Sequence, residues 1–171
     1  MPQLGEQLPD YSPLIGLSPS FWQSNEASTS QVYEKPLRLM CGEIYRSAYW
    51  LTKARFAEAR QRLKTTVTLE CGWDTYGTEA PNDVARHLAG TILDALEADG
   101  LPPTRLLPSS EGGIAISFVE GDRRAEIEIY NSGEVAAATY SANSEPVVWE
   151  LCNLDSALKN SITEIRVHLA A

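Results

Sequence analysis

The feature that most constrains this chain is strict two-residue alternation across residues 113–151. Ile114, Ile116 and Phe118 alternate with Ala115, Ser117 and Val119. Ala125, Ile127 and Ile129 alternate with Arg124, Glu126, Glu128 and Tyr130, and Val135, Ala137 and Thr139 continue the pattern. Successive side chains of a strand point to opposite faces, so this spacing predicts strands with one covered face and one face nearer water. Glu120-Gly121-Asp122 and Asn131-Ser132-Gly133 are turn sequences between them, which makes the segment an antiparallel meander. Pro146 introduces a fourth strand, Val147 to Leu151.

A sheet covered on one face needs helices to cover it, and the periodicity supplies them. From Leu37 to Lys64, Tyr45, Tyr49, Thr52, Phe56, Ala59 and Leu63 step by three and four, along one stripe of a helix. A second helix is expected from Pro81 to about Asp99, with Pro81 at its first position and Asp83 in its first turn. Its buried stripe is Ala85, Leu88, Ile92, Ala95 and Leu96, and Gly100 stops it. Pro102, Pro103 and Pro108 then read as an extended crossing loop. Asn153 is a good N-cap for a third helix with Leu154, Leu158, Ile162, Ile165 and Leu169 inward; a strand over Thr163 to Leu169 is the rival. Between the first two helices, Thr65 to Cys71 alternates and predicts a short strand or an extended connection, with Cys71 on its apolar side.

Residues 1–36 differ from all of this. They hold Pro2, Pro9, Pro13, Pro19, Pro36 and the cluster Ser28-Thr29-Ser30, and neither period persists. They read as an irregular arm before a single domain at 37–171. Leu14, Ile15, Leu17, Phe21 and Trp22 make the arm too apolar for a solvated tail, so it packs on its own domain or docks a partner. The expected fold is therefore α+β: an antiparallel sheet of about four strands, packed on one face by two or three helices.

Charge bounds the function. Across 171 residues, 14 Lys and Arg face 23 Asp and Glu, a net charge of −9 and a pI near 4.7. Such a surface repels phosphate backbones and anionic lipid, which argues against nucleic acid or membrane as the main partner. The charge is also segregated. Residues 35–64 carry eight basic and two acidic side chains, or +6; the remainder carries six basic and 21 acidic, or −15. Lys53, Arg55, Arg60 and Arg62 either cover the acidic body or meet a partner. Cys41, Cys71 and Cys152 are too few and too scattered for a disulfide framework, and are expected as small core residues of a cytoplasmic protein. Met1 to Asp10 has no basic residue and no apolar stretch follows, so no leader is expected.

Gly72-Trp73-Asp74-Thr75-Tyr76-Gly77 places two aromatics and a carboxylate between glycines. Asp74 can accept from the backbone N–H groups of Thr75 and Tyr76, and Trp73 can wedge between helices while its indole N–H finds a partner. The alternative is a pocket for a ligand or partner floored by Trp73 and Tyr76. In this order, a helix, that segment, a Pro-led helix, a Pro-rich crossing, Gly112-Gly113-Ile114-Ala115-Ile116 and the strand Ala125-Glu126-Ile127-Glu128-Ile129, the chain resembles a scattered group of small bacterial proteins. That group carries a Trp-Asp-Gly-Tyr-Gly-Ala type motif and is functionally uncharacterised. The likeness spans roughly residues 60–150 and departs at Thr75 and Thr78, where Gly and Ala are usual. It implies one α/β domain of bacterial or phage origin and carries over no catalytic residue.

Catalytic spacing is thin. Cys71, His87 and Asp74 could in principle form a nucleophile, base and orienter, but Cys71 reads as apolar-facing and His87 as structural. His168 beside Arg166 reads as solvated. Glu126 and Glu128 share a sheet face at i and i+2, a spacing that suits a metal or acid–base pair, but a solvated strand face looks the same and is what is expected here. No metal-ligand, phosphate-cradling, dinucleotide or nucleophile-elbow pattern occurs, so no cofactor or metal is expected. The sequence thus points to a non-enzymatic bacterial or phage binding protein of antitoxin, immunity or inhibitor type, or an accessory subunit of a defence-related assembly. Its partner is another protein, and a homo-oligomer also fits. The partner-binding candidates are Trp22, Lys53, Arg55, Arg60, Arg62, Trp73, Asp74 and Tyr76. The alternative is a small hydrolase or nuclease using Glu126, Glu128 or Asp74.

Overall fold

A computed structural model describes residues 34–142 and 144–171. The expectations for residues 1–33 of the arm, Trp22 included, lie outside the described residues; its last three, 34–36, are helical and not irregular, so the first helix begins before Leu37. The chain divides into two units, Met1–Gly42 and Glu43–Ala171. Of the first, only the opening turns of helix α1 (Glu34–Thr65) are described. The second continues through α2 (Asp83–Ala98), β1 (Arg105–Ser109), β2 (Gly113–Glu120), β3 (Arg123–Tyr130), β4 (Val135–Tyr140), β5 (Val147–Glu150) and α3 (Leu154–Ala170). The fold is α+β, with one five-stranded antiparallel sheet in the order β1-β2-β3-β4-β5.

The alternation works as the pleat requires. Ile116 on β2 pairs with Leu106 on β1 and Ile127 on β3, and Ile127 pairs in turn with Ala137 on β4. These residues, with Ile114, Phe118, Ala125, Ile129 and Val135, form one buried layer. Against it pack Ala85, Ala89, Ile92, Leu93 and Leu96 of α2, Leu158, Ile162 and Ile165 of α3, and Phe56 and Ala59 of α1. Burying large aliphatic side chains contributes roughly 1.5–3 kcal/mol each, so this layer is what holds the domain together.

The strand count differs from expectation by β1. Pro108 has no N–H to give a ladder, which argued for a loop; but β1 lies at the sheet edge, where a proline is tolerated, and it pairs with Ile114. Residues Thr65–Cys71 are not a strand. Thr66–Thr68 form a single 3₁₀ turn because the Thr65, Thr66 and Thr68 hydroxyls each bond the carbonyl three residues back, closing turns instead of a ladder. Val67 is consequently exposed, and so is Cys71. Cys152 is exposed as well, so neither thiol is a core residue; the side chain of Cys41 is outside the description.

Helix ends follow local chemistry. The α2 cap is Asn82, whose Oδ1 accepts from the Ala85 N–H at 2.9 Å, which leaves Pro81 just before the helix and not in its first turn. Gly100, at φ +65°, ends α2 as expected: its N–H reaches Glu97 O and the Leu101 N–H reaches Leu96 O. The C-terminal segment is helix to Ala170, not strand, although Asn153 makes no side-chain cap. Nor is His168 simply solvated: its Nε2 lies 3.0 Å from Tyr140 O, and Arg123 donates to its carbonyl at 2.8 Å.

Part of the basic helix covers its own acidic neighbour. Lys53 pairs with Glu97 at 2.7 Å, and Arg60 reaches both Asp94 and Glu97 at 2.7 Å. The Lys53 hydrogen bond, followed by that of Arg60, holds the Glu97 carboxyl below its ordinary range. A lowered folded-state pKa stabilises above the unfolded value and is lost as pH falls through the folded one, so these bridges are an interaction of neutral pH. Arg60→Glu is expected to lower the melting temperature by about 3 °C, by setting three acids together, while Arg55→Glu on the exposed side leaves it unchanged. Differential scanning fluorimetry at low salt distinguishes the two; equal melting temperatures for both variants would contradict the assignment.

Candidate functional site

The loop after α1 is organised by Asp74. Its Oδ1 accepts from the N–H groups of Tyr76 (3.0 Å) and Thr78 (3.2 Å), and the Thr78 hydroxyl sits 2.5 Å from Oδ2. The expected bond from the Thr75 N–H is absent because that group donates to Gly72 O at 3.0 Å. Donation from the Thr78 hydroxyl is the main cause that holds the Asp74 carboxyl below its ordinary range. Both oxygens are thus occupied in shaping a turn. Trp73 is half-buried and lies outside the hydrophobic cluster, and its indole N–H has no hydrogen-bond partner among the described residues, contrary to expectation. Tyr76 is 92% exposed.

Thr75 carries the strain of this turn, at φ +68°. A β-branched residue in the left-handed region costs roughly 1–2 kcal/mol, which glycine avoids at some entropic cost of its own. Thr75→Gly is expected to stabilise the protein by about 0.5–1 kcal/mol in urea unfolding. A loss of stability would show that the Thr75 side chain makes a compensating contact.

The loop does not assemble a nucleophilic triad. Cys71 Sγ lies 3.9 Å from Gly77 O, His87 is exposed on α2, and no hydrogen bond joins Cys71, Asp74 and His87 among the described residues. Nor is any group of three or more His, Cys, Asp or Glu placed to hold a metal ion among those residues. Of the other sequence candidates, Lys53 and Arg60 are bound to α2, Arg62 pairs with Glu58 one turn back at 2.9 Å, and Arg55 is exposed.

The stronger assembly is the sheet face turned away from the helices. In register, Glu126 stands between Ser117 and Ala138, and Glu128 between Ala115 and Ala136. Two carboxylates therefore rise from lanes of small residues, with Tyr130 and Tyr140 on the same face. The Glu128 oxygens are both engaged: Ser109 Oγ donates to Oε1, and Tyr130 OH donates to Oε2 at 3.1 Å. The Glu126 carboxylate has no hydrogen bond among the described residues. Burial, and then the Glu128 charge, push its carboxyl above the ordinary range. Burial and the same carboxylate push Tyr130 up to about 12. The pair is thus half-buried rather than solvated as its spacing alone implied.

The sign for Glu126 is the reverse of that for Glu97. A carboxyl whose folded pKa is raised favours folding in its neutral form, and that contribution disappears as pH rises through the folded value. Glu126→Gln is expected to raise the melting temperature at pH 7 and change it little at pH 4. A lower melting temperature at pH 7 would mean that the carboxylate is stabilised by its surroundings.

Beside this face lies a shallow cleft of about 360 Å³ lined by Thr78, Glu79, Glu111, Tyr130, Asn131 and Glu134, among others. Sequence reasoning missed its three glutamates. They sit in three separate loops that folded contacts draw together: the Thr78 hydroxyl donates to Ser110 O at 3.1 Å, and Asn131 joins all three. Its Oδ1 accepts from the Asn82 N–H at 2.8 Å, its Nδ2 donates to Ala80 O at 3.0 Å, and its N–H donates to Gly112 O at 3.2 Å. Tyr130 belongs to both the cleft and the open face, so the two form one surface, on which Glu79, Glu111, Glu126, Glu128 and Glu134 outnumber Arg105 and Arg124 of the same sheet face.

Comparison with protein-family models, with curated proteins and with solved structures finds no match. No helix among the described residues is long and apolar enough to cross a membrane.

Proposed function

We propose that this protein is a non-enzymatic, protein-binding module of a bacterium or phage, acting in the cytoplasm on a basic protein partner. The role is that of an antitoxin, immunity protein or inhibitor, or of an accessory subunit in a defence-related assembly. The observation that supports this reading is the sheet face that no helix among the described residues covers, with Glu126 and Glu128, continuous through Tyr130 with the cleft of Glu79, Glu111 and Glu134. Carboxylates on a broad, shallow surface suit the guanidinium and ammonium groups of a partner, and the net charge of −9 accelerates their encounter.

The test begins with mass spectrometry of what co-purifies with the tagged protein, followed by titration with that partner once purified. Replacing Glu126, Glu128, Glu111 and Glu134 together by Gln should weaken binding about a hundredfold, and raised salt should weaken the wild type similarly. Unchanged affinity in the quadruple variant would remove the acidic surface from the interface.

A second reading rests on one contrast. Burial holds the Glu126 carboxyl above its ordinary range, while its neighbour Glu128 accepts hydrogen bonds from Ser109 and Tyr130; two adjacent carboxyl groups in unlike surroundings are a pairing that acid–base hydrolysis uses. A hydrolase or nuclease of this kind would lose about a hundredfold in rate on Glu126→Gln with folding intact.

A further inference from the structure

The two edges of the sheet are not alike. Bonded and unbonded residue pairs alternate along an antiparallel ladder. The Asn131 N–H donates to Gly112 O, so the even residues of β2 turn their backbone groups to β3 and the odd ones to β1. On β1, Arg105, Leu107 and Ser109 therefore face β2, while Leu106 and Pro108 face outward. A proline in mid-edge has no N–H to offer a passing strand, which closes that edge to further pairing. On β5 the Leu151 N–H donates to Val135 O at 2.8 Å, in register with β4. Val147 and Trp149 thus face β4, and the N–H and C=O groups of Val148 and Glu150 face outward. None of those groups has a hydrogen-bond partner among the described residues. Val147 and Val148 are 60% and 64% exposed, and the strand holds neither proline nor lysine.

Unpaired backbone groups along a β-branched edge recognise another extended strand, and β5 is its own complement. We propose that β5 pairs antiparallel with β5 of a second copy, joining two sheets into one across a twofold axis. The register follows from the outward groups. With Val148 opposite Glu150 of the second copy, both outward residues of each strand exchange N–H···O=C bonds. The neighbouring registers set Glu150 against Pro146, which lacks a donor, or Val148 against Cys152, beyond the end of the strand. Trp149 then meets its own mate on the axis, at an unbonded position, where cross-strand side chains come closest and aromatic pairs stabilise. Its indole N–H is held by Ser161 Oγ at 2.8 Å, which fixes the ring on the helix side of the sheet. Helix α3 rests on β3 and β4, inward of the edge. Charge opposes this contact, because each copy carries −9 and Glu150 sits at the seam, so salt favours it. That slope is opposite to the one expected for a basic partner, and the edge lies apart from Glu126 and Glu128.

Sedimentation velocity of the full chain tests the proposal. A short seam makes a weak dimer, so wild type should be dimeric at about 300 µM, dissociate at about 5 µM, and associate more tightly as salt is raised. Val148→Pro removes an N–H that β4 does not use, and should weaken the dimer at least about tenfold. Val148→Thr keeps both the N–H and the branched side chain, and should change it less than about threefold. Amide exchange followed by NMR needs no variant, which keeps the test valid if the proline impairs folding. The Val148 and Glu150 amides of wild type should be protected at high concentration and lose that protection on dilution. A wild type monomeric at every concentration, equal loss in the proline and threonine variants, or association that weakens with salt would each overturn the proposal. So would protection of those amides in the monomer, since the edge would then be paired within its own chain. Binding of a basic partner through Glu126 and Glu128 is measured separately, and a monomer can still show it.

Discussion

Gly113→Ala is expected to leave the chain unfolded or destabilised by about 4 kcal/mol or more, the largest effect of any single methyl group added here. Gly113 opens β2 at φ +138°, and a Cβ there would stand 2.0 Å from the carbonyl oxygen of Ile129 on β3. That distance is well inside van der Waals contact, and the obstacle is backbone in the centre of the sheet, so no side chain can swing aside. Ile129 is itself fully buried and paired with Ile114, which removes the slack needed for β3 to retreat. Gly90 gives the contrast. It lies within α2 with nothing within 4 Å of an added Cβ, so Gly90→Ala should stabilise by up to about 1 kcal/mol on helix propensity alone. Urea denaturation followed by circular dichroism reads both. A folded Gly113→Ala protein within 1 kcal/mol of wild type would mean that β2 and β3 are not held at this separation.

The difference between those glycines was only partly legible in the sequence. Gly112-Gly113 reads as a turn, and a turn is there; the sequence carries no sign that β3 passes so close behind it. The same limit governs the rest of the fold. Where one local period decides the outcome, as in Ile114/Ile116/Phe118 or Ala85/Ile92/Leu96, the residues announce both the element and its buried side. Where a residue's fate depends on its place in the assembled sheet, they do not. Pro108 could be strand only because β1 is an edge, and the threonines of 65–68 alternate like a strand while their hydroxyls close a helical turn.

The candidate surface was less legible than the fold. Glu126 and Glu128 stand out by spacing, but their burial depends on which residues flank them across β2 and β4, a matter of register. Glu79, Glu111 and Glu134 share no motif at all. The basic residues of α1 were legible as a group, yet only the structure separates Lys53 and Arg60, which bind α2, from Arg46 and Arg55, which face outward.

Asn131→Ala is expected to cost about 3 kcal/mol, large for a polar residue, because it removes two hydrogen bonds and leaves their partners behind. The Asn82 N–H loses Oδ1 and the Ala80 carbonyl loses Nδ2, both in half-buried surroundings where water replaces them poorly. Asn82 answers with its own side chain. Its Nδ2 donates to the Asn131 carbonyl at 2.9 Å while its Oδ1 caps α2 through Ala85. The two asparagines therefore tie the β3–β4 turn to the start of α2 as one unit, and Asn82→Ala should cost a similar amount. Their effects should not add: with both removed, the double variant should lose about 1 kcal/mol or more less than the sum of the singles. Asn82→Asp keeps the cap oxygen and gives up only the donor, so it should recover part of the loss. Simple additivity in urea unfolding would show that the asparagines act separately. Because the clamp also draws Glu79, Glu111 and Glu134 around one cleft, a folded Asn131→Ala protein should bind a basic partner more weakly than its stability alone predicts.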